Sequence, residues 1–207
     1  VARGHDSVMP KKAQQSIGNF FENLRFPIRL VSDLIQFKFS QAAVHTGRFL
    51  INTTVGHLGL FDPAKDLGLE AHYEDLGTAL AYHGVPYGPY FVIPFLGPSS
   101  VRDALARIVD LVFLDPTFYL RYTDMDTETV WAIDTATVAV NVVNSRAGML
   151  EAIQSAKDAS VDYYLFTRSA WYQIRQNEIY DNNPPEEELI FEEDDDVSVD
   201  AGSSAAE

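Results

Sequence analysis

Between Asp75 and Arg102 the chain runs for 26 residues, Leu76 to Val101, without a charged side chain. That exceeds the roughly 20 residues an apolar helix needs to cross a bilayer. The stretch also holds four glycines and four prolines. Each internal proline removes a helical hydrogen bond and clashes with the preceding turn. A single lipid-exposed helix is therefore excluded, because hydrocarbon offers no partner for the freed backbone groups. The second half, "YGPYFVIPFLGPSS" (87–100), sets Tyr90, Phe91, Val92, Ile93, Phe95 and Leu96 among Pro89, Pro94, Gly97 and Pro98. Prolines at that density argue against a central strand. Residues 89–98 suit either core packing or a stiff hairpin that presents an apolar wall.

Around it the chain reads as short helices. Ile17, Phe20, Phe21 and Leu24 recur at helical spacing after Pro10, and Pro27 ends that segment. Ile28, Val31, Leu34 and Ile35 repeat the pattern. A third helix starts near Ser40, with Val44, Phe49, Leu50 and Ile51 on its apolar side. Residues 52–70 read as an irregular connection and 74–84 as a short helix stopped by Gly84. Ser100 and Asp103 make a weak capping box for a helix with the stripe Val101, Leu105, Ile108, Val109 and Val112, broken at Asp115-Pro116. Val130, Ile133, Val140 and Val143 predict a helix over 127–144, although Val138, Val140 and Val142 also alternate as a strand does. Two more helices are predicted over 146–160 and 162–179. Apolar stripes of this kind ordinarily mark a core face; Phe20, Phe21 and Phe26 suit core packing or lipid contact.

Charge is unevenly placed. Residues 183–207 hold ten acids and no base, two thirds of the net charge of −15. The chain divides into a helical domain over 1–182 and an acidic, disordered tail over 183–207. No basic stripe exists to neutralise phosphates, so nucleic acid is not an expected partner. The chain has no cysteine, which removes disulfides, thiol catalysis and thiolate metal sites. "EAHYED" (70–75) gathers Glu70, His72, Glu74 and Asp75, but their spacing matches no metal site and reads as a solvated polar loop. There is no G-x-S-x-G elbow, Walker A motif or G-x-G-x-x-G turn, so neither a serine hydrolase nor a nucleotide enzyme is supported.

Four strings occur in a telling order: "NFFENLRFPI" (19–28), "GRFLINTTVGHLGLFDPA" (47–64), "EDLGTALAYHGVPYGPYFVIPFLGPSSVRD" (74–103) and "FTRSAWYQIR" (166–175). Together they resemble the MlaA (VacJ) family of outer-membrane lipoproteins across about residues 1–180. The resemblance implies an all-α fold of short amphipathic helices, arranged as a ring around an amphipathic channel, with a Gly/Pro-rich hairpin. It implies a phospholipid transporter without enzymatic activity, cofactor or metal. Such a protein sits in the inner leaflet of the outer membrane, removes phospholipids mislocalised in the outer leaflet and passes them to a periplasmic lipid carrier. The implied partners are phospholipid, an outer-membrane porin trimer and that carrier. The family pattern also places a signal peptide and a lipid-modified cysteine ahead of Val1, so the chain is expected to be N-terminally truncated. Many relatives carry glycine where Pro86 stands, and proline there stiffens the turn.

The physical chemistry agrees with that role. A two-chain phospholipid carries about 30 methylenes, and exposing them to water costs on the order of 25 kcal/mol at about 0.8 kcal/mol each. A transporter must shelter the tails and keep the headgroup wet. The residues expected to line or gate the lipid path are Gly84, Pro86, Tyr87, Gly88, Pro89, Tyr90, Phe91, Val92, Pro94 and Phe95. Gly84 and Gly88 permit the turns. Tyr87 and Tyr90 are expected to set their hydroxyls at a wet boundary with their rings toward acyl chains. The competing reading is a porin-associated structural scaffold whose hairpin packs on a partner and never handles lipid.

Overall fold

The structure, a computed structural model, describes residue 4, residues 8–94 and residues 96–185. The acidic tail expected over 183–207 lies almost wholly outside the described residues. Helix α1 (Lys11–Leu24) and helix α2 (Phe26–Ile35) meet at Arg25, and Pro27 occupies the first turn of α2, where its missing N–H costs nothing. Phe37, in the left-handed region at φ 59°, turns the chain into α3 (Phe39–Thr54), which packs on α2 with the Phe26 and Phe49 rings stacked 4.3 Å apart. The connection to residue 75 is irregular, as the glycines predict, apart from one turn, α4 (Pro63–Asp66), capped by Asp62. Helix α5 (Leu76–Tyr82) opens on a full capping box between Asp75 and Thr78.

The apolar hairpin is more regular than its composition predicts. Strands β1 (Tyr90–Ile93) and β2 (Gly97–Ser100) form an antiparallel ribbon that pairs Tyr90 with Ser100, Phe91 with Ser99, Val92 with Pro98 and Ile93 with Gly97. A ribbon of two strands is all edge, so proline breaks no interior ladder. The hairpin falls in the expected stretch: residues 84–89 form its root, and Tyr90–Ile93 with Gly97–Ser100 form the ribbon.

Helix α6 (Val101–Val109) is capped by Ser100, whose Oγ accepts from the Asp103 amide. It loosens into a π turn (Asp110–Leu114), and after Asp115 a 3₁₀ segment (Pro116–Tyr122) follows. Helix α7 (Thr127–Gly148), capped by Asp126, settles the helix-or-strand ambiguity. It runs past the predicted break and ends at Gly148, so α8 (Leu150–Ala159) starts later than expected. Helix α9 (Tyr163–Ile179) is capped by Asp162. The Asn144 amide ties α7 to α1 by donating to the Gln14 carbonyl, 3.0 Å. The fold is mostly helical, built of many short helices. No described helix is long and apolar enough to cross a membrane.

Burial runs against the usual order. Among the described residues fourteen buried side chains are polar or charged and nine are apolar, and five of those nine are alanine. On α2 the inward face is Ile28, Arg29, Ser32 and Asp33, continued by Gln36, while Leu34 and Ile35 of the predicted stripe are exposed. Helix α6 is inverted outright: Arg102 and Ala106, with Asp110 a turn later, face in, and Val101, Leu105, Ile108 and Val109 face out. The periodicity located these helices correctly, but the core-face expectation fails on α6 and holds on α2 at Ile28 and not at Leu34 or Ile35. Buried polar side chains need partners, and most of these have them. Asp33 Oδ2 lies 2.6 Å from His45 Nδ1. Glu74 accepts from Gln36, Lys38 and Thr78.

Candidate functional site: the hairpin and its root

The root of the hairpin is fastened by arginines. The chain leaves α5 with Gly84 at φ 82° and turns again at Gly88, φ 68°, both left-handed positions that disfavour a side chain. Arg102, buried at the start of α6, donates from Nη1 to the Val85 carbonyl at 3.0 Å and lies over the Tyr87 ring, 4.1 Å from its centre. Its backbone amide donates to the Tyr87 carbonyl, and that of Val101 to Pro89. The root therefore runs beside the first turn of α6, held by backbone, guanidinium and ring together.

Arg102 is one end of an ionic chain. Its Nε donates to Asp103 at 2.8 Å. Asp103 makes a 3.0 Å ion pair with Arg175 of α9. Arg175 grips Asp75 through two hydrogen bonds of 3.1 and 3.2 Å and reaches Glu178 at 2.8 Å. Burial raises the Asp75 carboxyl, but the Arg175 guanidinium more than offsets this and holds it below the ordinary carboxylate value. Glu178 is shifted up, by burial foremost. Asp110 stands at the edge of this chain. Burial, with the Asp75 carboxylate second, pushes it up to about 6. Gly77 makes room for the network: a Cβ there would sit 2.7 Å from Asp103 Oδ1 and 2.8 Å from Arg175 Nη2.

The other face of the hairpin rests on α9 through aromatic rings. Tyr87 meets Trp171 and Tyr172 edge-on at 5.7 and 5.3 Å, and Tyr90 meets Tyr164, Trp171 and Tyr172 at 5.8, 5.4 and 6.2 Å. The Tyr87 and Tyr90 hydroxyls are buried, that of Tyr87 beside the Arg102 guanidinium, and burial raises both phenols. They do not lie at a wet boundary, which corrects that expectation: the rings they pack on come from α9 and close over them. Phe91, Val92 and Leu96 point outward and are exposed, as are Pro86, Pro89 and Pro94. Phe95 lies outside the described residues. The arrangement is an apolar blade with a greasy outer face, a ring-packed inner face and a charged root.

The structure thus brings Tyr87, Tyr90, Phe91 and Val92 into one element with the turn glycines. Sequence reasoning missed the residues that hold it, namely Arg102, Asp103, Arg175, Asp75 and the ring bed of α9. Only Trp171 and Tyr172, inside "AWYQIR", gave a local hint. The "EAHYED" loop is solvated, as expected, at Glu70, Ala71 and Tyr73 but not at its end. Glu74 is buried and Asp75 caps α5, so those two acids are structural.

A second feature is a cavity of about 150 Å³ among α1, α2 and α3. Its walls carry Arg29, Arg48, Glu22, Asp62 and the stacked Phe26 and Phe49. Arg48 donates to the Leu69 carbonyl and to Asp62, and Asn52 also donates to Asp62.

A family model described as MlaA lipoprotein matches residues 1–178. The chain is 29% identical over 178 residues to the intermembrane phospholipid transport system lipoprotein MlaA of Escherichia coli, covering 84% of this chain and 66% of that protein. It is 28% identical over 184 residues to the lipoprotein of the same name from Haemophilus influenzae, covering 87% and 70%. An uncharacterized protein of Rickettsia bellii is 31% identical over 179 residues, covering 86% and 67%. A solved structure described as the structural basis for maintenance of bacterial outer membrane lipid asymmetry superimposes with a TM-score of 0.69 at 25% identity, covering 84% of this chain and 83% of that one.

Proposed function

Since the chain belongs to the MlaA lipoprotein family, we propose that it is a phospholipid transport protein of the outer membrane. It removes phospholipids mislocalised in the outer leaflet through a central channel and hands them to a periplasmic lipid carrier, keeping the two leaflets asymmetric. It sits on the periplasmic side, in the inner leaflet, beside a porin trimer. The observation that carries this reading is the inverted burial. Polar side chains at helical spacing face inward on α2 and α6, while Leu105, Ile108, Phe113 and Trp131 face out, Trp131 64% exposed. In water that arrangement leaves apolar area unburied at roughly 25 cal/mol per Å². In hydrocarbon the same surface costs nothing, and the buried polar groups are largely satisfied by one another. The hairpin is the gate. Its root is fixed by Arg102, and its outer face of Phe91, Val92 and Leu96 lies against acyl chains.

The test is transfer of a fluorescent phospholipid from donor to acceptor vesicles by the purified chain with its carrier. Acceleration above the protein-free rate is expected. A folded protein that binds porin and leaves the rate unchanged is a scaffold, and the proposal fails.

A further inference from the structure

The cavity among α1, α2 and α3 lies apart from the hairpin and has unusual charge arithmetic. Its two guanidinia, Arg29 and Arg48, are matched by two carboxylates, Glu22 and Asp62. Arg48 is committed to Asp62 and to the Leu69 carbonyl. Arg29 is not. It is 8% exposed, yet among the described residues its guanidinium has one partner, Glu22. Its remaining donors are not among the buried unpartnered atoms, so they stay reachable where Arg29 lines the cavity and are free to meet a ligand. Behind it His45 also lines the cavity. Its Nδ1 is turned to Asp33, and its buried Nε2 has no protein partner. Glu22, by contrast, is about half exposed at the cavity rim. The stacked Phe26 and Phe49 rings form an apolar wall beside these groups.

From this we infer that the cavity binds a zwitterionic phosphoester, with the phosphate on Arg29 and an ammonium group on Glu22. Charge decides the class. The lining carries two cations and two anions, with Arg25 outside it 3.8 Å from Glu22; a simple anion on Arg29 must sit beside the Glu22 carboxylate, whereas a ligand carrying one charge of each sign meets a complement at both ends. Size agrees. About 150 Å³ holds roughly five waters, enough for a phosphate and a two-carbon amine, with a glycerol moiety left against Phe26 and Phe49. The chemistry is shared by a phosphoethanolamine lipid headgroup and by the free water-soluble phosphodiester. Only the first of these sources rests on the lipid-transport reading.

The test is calorimetric titration of the purified chain with glycerophosphoethanolamine and, separately, with the net-anionic glycerophosphoglycerol. The zwitterion should bind at least about tenfold more tightly. Arg29→Gln keeps a donor for Glu22 and should weaken both ligands about tenfold or more, the size of one charge-assisted contact. Glu22→Gln leaves the cavity net positive and should reverse the preference, a change that mere loss of stability does not produce. Equal binding, tighter binding of the anionic ligand, no binding of either, or a preference unmoved by Glu22→Gln overturns the inference. A second arm repeats the comparison with phosphatidylethanolamine and phosphatidylglycerol in nanodiscs. The same preference there identifies a lipid headgroup. Discrimination between the soluble ligands only supports the site with a free phosphodiester as its ligand, and counts against the transport reading instead.

Discussion

The Arg102 guanidinium lies 4.1 Å from the centre of the Tyr87 ring while its Nη1 donates to the Val85 carbonyl. One side chain thus fixes both the backbone and the first aromatic ring of the hairpin root. A planar, five-donor group can do both, and a lysine cannot. Arg102→Lys should free the root while leaving the helices intact. Stacking of this kind is worth about 1–2 kcal/mol when desolvated. Hydrogen exchange over residues 85–100 should therefore speed up about tenfold, with exchange in α2 and α3 unchanged. Uniform acceleration across the chain would show global destabilisation instead.

Gly77 sits where a methyl group would strike Asp103 and Arg175. In an open helix Gly→Ala gains up to about 1 kcal/mol. Here overpacking costs about 1–3 kcal/mol and should win. Urea unfolding of Gly77→Ala should show net destabilisation. An increase in stability would mean that the ionic chain yields easily.

Asp110 titrates at about 6 in the folded protein, against an ordinary value of 3.8. Between those pH values the folded state binds more protons than the unfolded one, so this group's contribution to stability falls as pH rises from about 4 to 6. Asp75, held low beside Arg175, works in the opposite sense and weakens the fold as pH drops through its depressed value. Asp110→Asn keeps an acceptor for the Leu76 amide and removes the charge. It should stabilise the protein by roughly 1 kcal/mol or more above pH 7, with little effect near pH 4. Superimposable pH–stability profiles for the two proteins would contradict the assignment.

Phe91 is exposed on the outer face of the blade. Because the ring is only 38% exposed, losing its covered area should cost about 1–2 kcal/mol of stability, so transfer is compared under conditions where both proteins are fully folded. Phe91→Asp should nonetheless slow lipid transfer at least about tenfold, because a charge is driven against acyl chains. Porin co-purification should persist. Equal loss of both activities favours the scaffold reading.

Helix positions were legible because periodicity is local. Ile17, Phe20 and Phe21 mark α1, and Ser100 with Asp103 marks the start of α6. The hairpin was legible because Pro94, Gly97 and Pro98 leave the chain few alternatives. Which face of a helix points inward was not legible. A stripe such as Val101, Leu105 and Ile108 has the same period whether it meets a core or a bilayer, and here Arg102 and Ala106 took the inside. The Asp75–Arg175 pair was also invisible, because ion pairs between residues 100 positions apart leave no spacing to read.

The central claim is that the hairpin must move on α9 for lipid to pass. The chain has no cysteine of its own, so Tyr90→Cys with Tyr164→Cys can be bridged by a short bis-maleimide across a contact of 5.8 Å between the rings. Phospholipid transfer is then measured before and after bridging, beside each single-cysteine control. The account predicts that transfer stops in the bridged protein while its circular dichroism is unchanged and its melting temperature does not fall, the bridge itself restricting the unfolded chain. Full transfer by the bridged, folded protein would contradict it.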